Sequence, residues 1–448
     1  MPGKRPINAD LPVTGEPPAK PEGAPEEKPA PKPAAAKRKR KPVPGALKAI
    51  GGLILVAVVF LVAAVIGGGG SNEQEEKPAP APTQAPAEPA AEEEQTPAAE
   101  AAEELGYPSF ATNNTTRVGG SDPATTAAGV ALAVFPSAKV AQRPTAVTLV
   151  DEDEWQGAVA ASVLMAAPVR APLLISSGGD LPDPTEQALN TLSPQGSSAT
   201  DKAQVFAIGS ATAPDDLRTT QVNPASPAAL AAAIKDLRDK LFKAAPAHIV
   251  LAPEEDSDFA MPAAAWAARS GDPVLFSARD KLPAATAKQL RGAAKVPVFV
   301  LGPSAAISSD VVREVAKIGN PVQRVAAEDP VENAIALARY SSDDFGWNVN
   351  DPGHGLVVAR SDAPIDAAIA APLSASGTWG PLLLTDDAAT LPKALREYLL
   401  DIKPGYTTDP TRAFYNHVWV IGDQEAIDVN QQAEIDQLAE LAQIGGEE

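Results

Sequence analysis

Cysteine is absent from the 448-residue chain, and histidine occurs only three times. Without a thiol there is no disulfide framework, no thiolate metal site and no cysteine nucleophile. His248, His354 and His417 leave little material for a metal site or a catalytic triad, and each stands at the start of an apolar run, as a strand-entry residue does. Phosphate-cradle, nucleophile-elbow and zinc-helix patterns (G-x-x-x-x-G-K-[ST], G-x-S-x-G, H-E-x-x-H) and the dinucleotide fingerprint G-x-G-x-x-G are all missing. The net charge is −20, unevenly spread. Residues 1–48 carry 11 basic and 5 acidic residues, residues 71–110 carry 1 and 10, and nothing between 49 and 70 is charged, which leaves −17 on residues 111–448. Such a body lacks the basic face that nucleic-acid binding needs. The expectation is a non-enzymatic protein without cofactor or metal.

What is present begins with a sharp division of the chain, whose length allows roughly two to four domains. Of the 46 prolines, 12 fall in residues 1–48 and 7 in residues 71–110. These Pro/Ala/Lys/Glu tracts bury too little apolar surface to offset chain entropy, so a disordered basic tail (1–48) and a disordered linker (71–111) are expected. Between them, residues 49–66 contain no charge and run into Gly67–Gly70, long enough to span a bilayer. A cleaved signal peptide would have a shorter apolar core nearer the terminus. Residues 49–70 therefore read as an uncleaved signal anchor. Lys37-Arg38-Lys39-Arg40-Lys41 and Lys48 precede it, whereas Glu73, Glu75 and Glu76 follow, which places the N-terminus in the cytoplasm and the body outside the cell. Fully extended, the linker reaches about 120 Å from the membrane.

Three landmarks then recur in one order. The first is Val147–Asp151, 249–253 and 356–360. The second is Ala171-Pro172-Leu173-Leu174, Asp272-Pro273-Val274-Leu275 and Gly380-Pro381-Leu382-Leu383, each followed by a Leu-Pro pair. The third is an apolar run ending at Gly209, Gly302 and Gly422. Pro172 and Pro273 are 101 residues apart, Pro273 and Pro381 108. A fourth landmark opens each copy: Arg117-Val118-Gly119-Gly120-Ser121-Asp122-Pro123, Asn223-Pro224, and Arg324-Val325 through Asp329-Pro330. Asp122, Asn223 and Asp329 are read as helix N-caps, with Pro in the first turn. Short β-branched runs alternating with helical segments indicate α/β modules with parallel sheets, at 112–220, 221–322 and 323–443.

These repeats resemble the cell wall-binding repeat 2 family of Gram-positive surface proteins, whose members carry three copies of about this length. Arg117-Val118-Gly119-Gly120-Ser121-Asp122 with Thr126-Ala127 is similar to the family's R-[IV]-x-G-x-[DN]-x-x-x-T-A start. Val358-Ala359 through Asp366-Ala367-Ala368 resembles its V-L-A-S-G-x-x-x-x-D-A-L stretch. The runs from Pro172, Pro273 and Pro381 are similar to its P-[IV]-L-L segment. The pattern is broken at Ser210, Pro303 and Asp423, where the family has a second glycine, and at Gly157, where it has Asp. The resemblance implies three Rossmann-like modules about a pseudo-three-fold axis and non-covalent attachment to an anionic cell-wall polysaccharide. It also implies that Pro172, Leu173, Leu174, Pro273, Leu275, Pro381, Leu382 and Leu383 lie near the polymer.

Charge and stacking for such a ligand would come from Arg170, Arg269, Arg279 and Arg360 beside those segments and from Trp379; Trp347 is a further sugar-stacking candidate, while Trp419 lies in a core strand. The acid runs Asp151–Glu154 and 254–256 stand where open α/β sheets place ligands; they read as cation ligands or as solvated turns. Two functions remain open: a membrane-tethered wall-binding module, and a sensor or accessory ectodomain that binds a solute or partner protein and signals through the cytoplasmic tail, for which a protein partner is expected.

Overall fold

Leucine- and valine-rich runs of four to six residues are too short to form buried helices but long enough to cross a sheet, and several are followed by an alanine-rich segment that helix propensity favours. The computed structural model describes residues 110–377 and 379–444. The described chain opens with a hairpin, β1 (Phe110–Ala111) and β2 (Thr115–Val118), then α1 (Pro123–Val134). A first round follows: β3 (Val147–Asp151), α2 (Trp155–Ala161, continued by a 3-10 turn over Ser162–Met165), β4 (Leu173–Ser176), α3 (Asp183–Leu192), β5 (Val205–Ile208), β6 (Thr219–Val222) and α4 (Pro227–Phe242). The second round is β7 (Ile249–Pro253), α5 (Ser257–Ala260), α6 (Pro262–Ser270), β8 (Val274–Ser277), α7 (Ala284–Gly292), β9 (Val298–Leu301), α8 (Ser309–Ile318), β10 (Val322–Val325) and α9 (Pro330–Arg339). The third is β11 (Gly355–Arg360), α10 (Pro364–Ser374), β12 (Leu382–Thr385), α11 (Lys393–Asp401), β13 (Gly405–Tyr406), β14 (His417–Ile421), α12 (Val429–Ala439) and β15 (Ala442–Gln443).

Three sheets result, with strand orders β4-β3-β5-β6, β8-β7-β9-β10 and β12-β11-β14-β2-β1, and every pairing except β1 with β2 is parallel. A small parallel pair joins β13 to β15. β3 and β7 are buried at every position, as strands covered on both faces must be. The fourth strand of each sheet is the landmark that opens the next round. β6 and β10 complete the first and second sheets, but the α4 and α9 helices that follow them pack on β8 and β12 of the next sheet. β2 behaves alike: it pairs with β14 of the third sheet, while α1 packs on β4 of the first. The chain's start is thereby stitched into its last sheet.

Three helices hold the rounds together. α10 packs on α2 and α6, and α6 also meets α2 and the Ser162–Met165 turn. Alanine dominates their buried residues, with Ala158, Ala160, Ala161, Ala263–Ala265, Ala267, Ala268, Ala367, Ala368, Ala370 and Ala371 all buried. Alanine gives high helix propensity and the shortest side chain that still excludes water, so the helices pack closely.

Local capping follows the sequence at two of three openings. Asp122 accepts from the Thr125 amide at 2.9 Å, and Asp329 from the amides of Val331 and Glu332 at 2.8 and 3.2 Å. Asn223, expected as the third cap, is not one: α4 begins later, Ser226 accepts from the Ala229 amide, and Pro227 takes the first helical position. The second proline, not the first, sets the helix start. Among the described residues no helix is long and apolar enough to cross a membrane. The expected basic tail (1–48), membrane span (49–70) and, apart from its last two residues, the linker (71–111) lie outside the described residues.

Candidate functional site

The repeat motifs converge where the strands of the third sheet end. Arg117, on β2, is buried, and its guanidinium donates to the backbone carbonyls of Gly422, Asp423 and Ile427 and, through Nε, to Gln432 Oε1 at 3.0 Å. Burial pushes its pKa down, opposed by Asp423 and Asp428. Arg324 makes the same contacts one sheet away, donating to Gly302, Pro303 and Ile307 carbonyls at 2.6–2.9 Å. In the first sheet Gln221 fills the role, donating to Gly209 and Ala211 at 2.9 and 3.4 Å. The opening motif's basic residue is therefore a clamp that ties the exchanged strand to the turn after its neighbour. Gly119 allows the approach: a Cβ there would lie 2.7 Å from the Gly422 nitrogen, and its φ is +141°.

Beside this clamp runs a groove of about 490 Å³, lined by the β2–α1 and β11–α10 turns, Gly422 and Asp423, and, from the first round, Glu152, Asp153 and Trp155. Asp122, Glu152, Asp153, Asp362, Asp366 and Asp423 supply six carboxyl groups and no Lys or Arg lines it. Asp423 is occupied in accepting from the Glu425 and Ala426 amides. Asp366, which falls on the family motif's Asp, has its pKa pushed up to about 7 by burial and then by Asp362. In the first acid run, Asp151 accepts from the Gly179 amide at 3.2 Å and Glu154 from the Ser210 amide at 3.1 Å. Among the described residues no group of three or more His, Asp or Glu side chains is arranged to hold a metal. A face so lined repels anions.

The P-x-L-L segments do not form a surface. Leu173, Leu174, Leu275, Leu382 and Leu383 are at most 4% exposed within β4, β8 and β12, and Pro172, Pro273 and Pro381 are buried just before them. Strands covered on both faces leave these side chains no route to a polymer, which corrects their reading as polymer-binding residues. Nor do the arginines cluster. Arg360 forms a bidentate pair with Asp362 at 2.7 and 3.0 Å, and Arg279 lies 4.0 Å from Asp280 in solvent, both where strands end. Arg170 and Arg269 lie at the opposite, entry end of the strands, Arg170 over Phe135 at 5.6 Å.

At that entry end the structure does bring candidates together. Arg269, from α6, lies 4.0 Å over the Trp379 ring, which is 47% exposed. They border a cavity of about 430 Å³ between the second and third rounds, shared with His248, Trp266, Asp272, Asp344 and Trp347. His248 is held at both ring nitrogens, Nδ1 by Asp272 at 3.1 Å and Nε2 by Asp344 at 3.0 Å. Hydrogen bonding to Asp272, with the charges of Asp272 and Asp344, raises its pKa against the opposing effect of burial. The buried Asp272 also accepts from Trp266 Nε1 at 3.0 Å and from the His248 amide at 3.0 Å. Trp266 meets Trp347 edge-on at 5.5 Å. Nε1 of Trp347 is buried with no hydrogen-bond partner.

His248 is thus more than a strand-entry residue, and the pairing of Asp272 and Asp344 with it escaped the sequence reading. The signal was a departure from the repeat: Asp272 stands where the other copies have Ala171 and Gly380. Asp344 lies in a connection before β11 that is longer than the one before β7. His417 has no comparable pairing; burial lowers its pKa.

Three α/β sheets with exchanged edge strands define a modular class of fold, and solved structures are similar to it in overall fold. Cwp6 from Clostridium difficile superposes with a TM-score of 0.59 at 18% identity, over 73% of this chain and 48% of that one. Cwp8 from the same organism gives 0.55 at 20% identity, over 73% of this chain and 52% of that one. The chain spans about half the length of either. No family model and no curated protein matches the sequence.

Proposed function

We propose that this is a non-enzymatic, membrane-tethered protein of the cell surface. Its three Rossmann-like modules, arranged about a pseudo-three-fold axis, attach without covalent bonds to an anionic polysaccharide of the cell wall. The observation that carries the reading is the repeated sheet with its exchanged strand, a fold shared with Cwp6 and Cwp8, in a chain whose repeats resemble cell wall-binding repeats. Contacts that are weak singly add on a repeating polymer through effective concentration. The charge distribution supports attachment at the strand-entry end, where Arg170 and Arg269 stand clear of the carboxylate-lined groove. The Asp272–His248–Asp344 arrangement supports a non-catalytic reading, because an imidazole engaged at both nitrogens has no free lone pair to act as a base.

The test is sedimentation of the full-length protein, in detergent, with purified Gram-positive walls. Binding at low salt that disappears when the walls are stripped of their secondary anionic polymer is the expected result. No sedimentation, or equal sedimentation with stripped walls, overturns the polymer reading. The cavity beside Trp379 is the feature that favours the alternative, an ectodomain that senses a small solute.

A further inference from the structure

We propose that the strand-entry end of the third round carries a track for an acidic glycan chain, built from two arginine–aromatic hollows joined by exposed rings. The first hollow is the cavity of about 430 Å³ beside Trp379, where Arg269 lies 4.0 Å over the indole and His354 forms part of the wall. The second, of about 290 Å³, has Tyr406, Arg412, Ala413 and Ile444 in its lining. Phe414 connects them. It follows Ala413 in the chain and packs against Gly353, the neighbour of His354, where an added Cβ would lie 3.2 Å from the Phe414 Cβ. Phe414, Tyr415 and Ile444 are 70%, 55% and 57% exposed, so this end presents large apolar side chains that no described residue covers.

These residues depart from the repeat. The connection before β14 runs over residues 402–416, against 193–204 before β5 and 293–297 before β9, and it supplies Tyr406, Arg412, Phe414 and Tyr415. Trp379 is replaced by Arg170 and Gly271 in the other rounds. Extra loop length that sets rings and arginines at one end of a rigid sheet serves binding rather than packing. Charge then gives the sign of the ligand. The acids that border the hollows are each engaged: Asp272 by Trp266 and His248, and Asp344 by the other His248 nitrogen. Asp351 meets His354 at 3.4 Å, and Asp409 accepts from the Thr411 amide and hydroxyl at 3.0 and 2.7 Å. Arg269 and Arg412 form no ion pair among the described residues. A guanidinium free to donate two parallel N–H groups suits a carboxylate or phosphate. The ring faces beside it suit the C–H faces of sugars. Ring and charge in both hollows describe a glycan with acidic groups on its sugar rings, and two hollows on one chain add through effective concentration. A bilayer surface would call for a convex apolar patch, whereas these rings rim two concavities.

The track rests on the wall reading for the source of the glycan and on these residues alone for its chemistry. Two measurements on the detergent-solubilised full chain keep the two apart. In wall sedimentation, Arg412→Glu and Phe414→Ser, both at exposed positions, should each reduce binding about tenfold. Arg291→Glu, an equal charge change at the end of α7 in the second round, should change it by less than about twofold. Saturation-transfer NMR then uses trigalacturonate as the acidic probe, maltotriose as rings without charge, and glycerol 3-phosphate as charge without a ring. Transfer to trigalacturonate is expected, about tenfold weaker for either control and about tenfold weaker in Trp379→Ala and Arg412→Glu. Undiminished wall binding by the track variants, no transfer to trigalacturonate, or equal transfer to maltotriose overturns the track. Capture by phosphatidylglycerol vesicles that the same variants abolish would also overturn it, in favour of a membrane-facing surface. Variant-sensitive trigalacturonate binding without wall sedimentation would keep the track and remove only the wall as its source.

Discussion

At the scale of single residues, three ionisable groups make stability depend on pH, Asp366 and His248 in one direction and His417 in the other. The Asp366 carboxyl has a native pKa of about 7, against 3.8 for the ordinary group, with burial as the first cause. The native state therefore binds a proton more tightly than the unfolded chain, and stability falls as pH rises from about 4 through 7. Asp366→Asn should raise the urea midpoint at pH 8 by the equivalent of up to a few kcal/mol and leave it nearly unchanged at pH 4; a variant no more stable than wild type at pH 8 refutes this. His248 also has a raised pKa, so its contribution is complete below its unfolded pKa of about 6.5 and is lost as pH climbs through the native value. His248→Gln should destabilise the protein at pH 6 and much less at pH 9, measured by the same denaturation. His417 has the reverse sign: burial lowers its pKa, so its contribution is lost as pH falls below about 6.5. The sequence showed three histidines in equivalent places but not their different environments. The partners of His248 lie 24 and 96 residues away, and no local pattern announces them.

At the scale of elements, the exchanged strand is the feature on which each sheet's edge depends. Arg117→Ala removes a buried guanidinium and orphans three carbonyls and Gln432, and should cost about 3 kcal/mol or more. Arg117→Gln should recover part of that loss, because Gln221 performs the same task in the first sheet with two hydrogen bonds. Equal destabilisation by both variants in chemical denaturation would show that the clamp is not what holds β2. The strands themselves were legible: the runs ending at Gly209, Gly302 and Gly422 are β5, β9 and β14, and the runs after Pro172, Pro273 and Pro381 are β4, β8 and β12. Which sheet the edge strands join was not. Thr219–Val222 and Val322–Val325 are exposed or half-buried up to their last residue, the only buried one in each, as an edge strand on either side of a module boundary would be. Sequence order favours grouping β2 with α1, whereas hydrogen bonding puts β2 beside β14. The P-x-L-L segments misled for a related reason: a conspicuous apolar run signals burial first, and only its flanks reach solvent.

At the scale of the whole molecule, local charge decides what an acidic protein can bind. At physiological salt the Debye length is about 8 Å, so an anionic polymer at one end of the strands feels the side chains there rather than the net charge of −20. Arg170 and Arg269 stand at the entry end. The far end holds the six-carboxylate groove, and Arg360 there is consumed by Asp362. The double substitution Arg170→Glu/Arg269→Glu should therefore reduce wall sedimentation at least tenfold, and the remaining binding should lose its salt dependence. Arg279→Glu/Arg360→Glu should change it by less than about twofold through direct contact, since charges screened beyond a Debye length contribute little. Asp153→Asn/Asp362→Asn serves as the complementary control. If the polymer binds at the entry end, neutralising the far groove leaves sedimentation unchanged, whereas a polymer lying in that groove would bind more tightly once its repulsion is removed. Stronger binding by the Asn pair, with no loss in the Arg170/Arg269 pair, would move the attachment surface to the other end of the sheets.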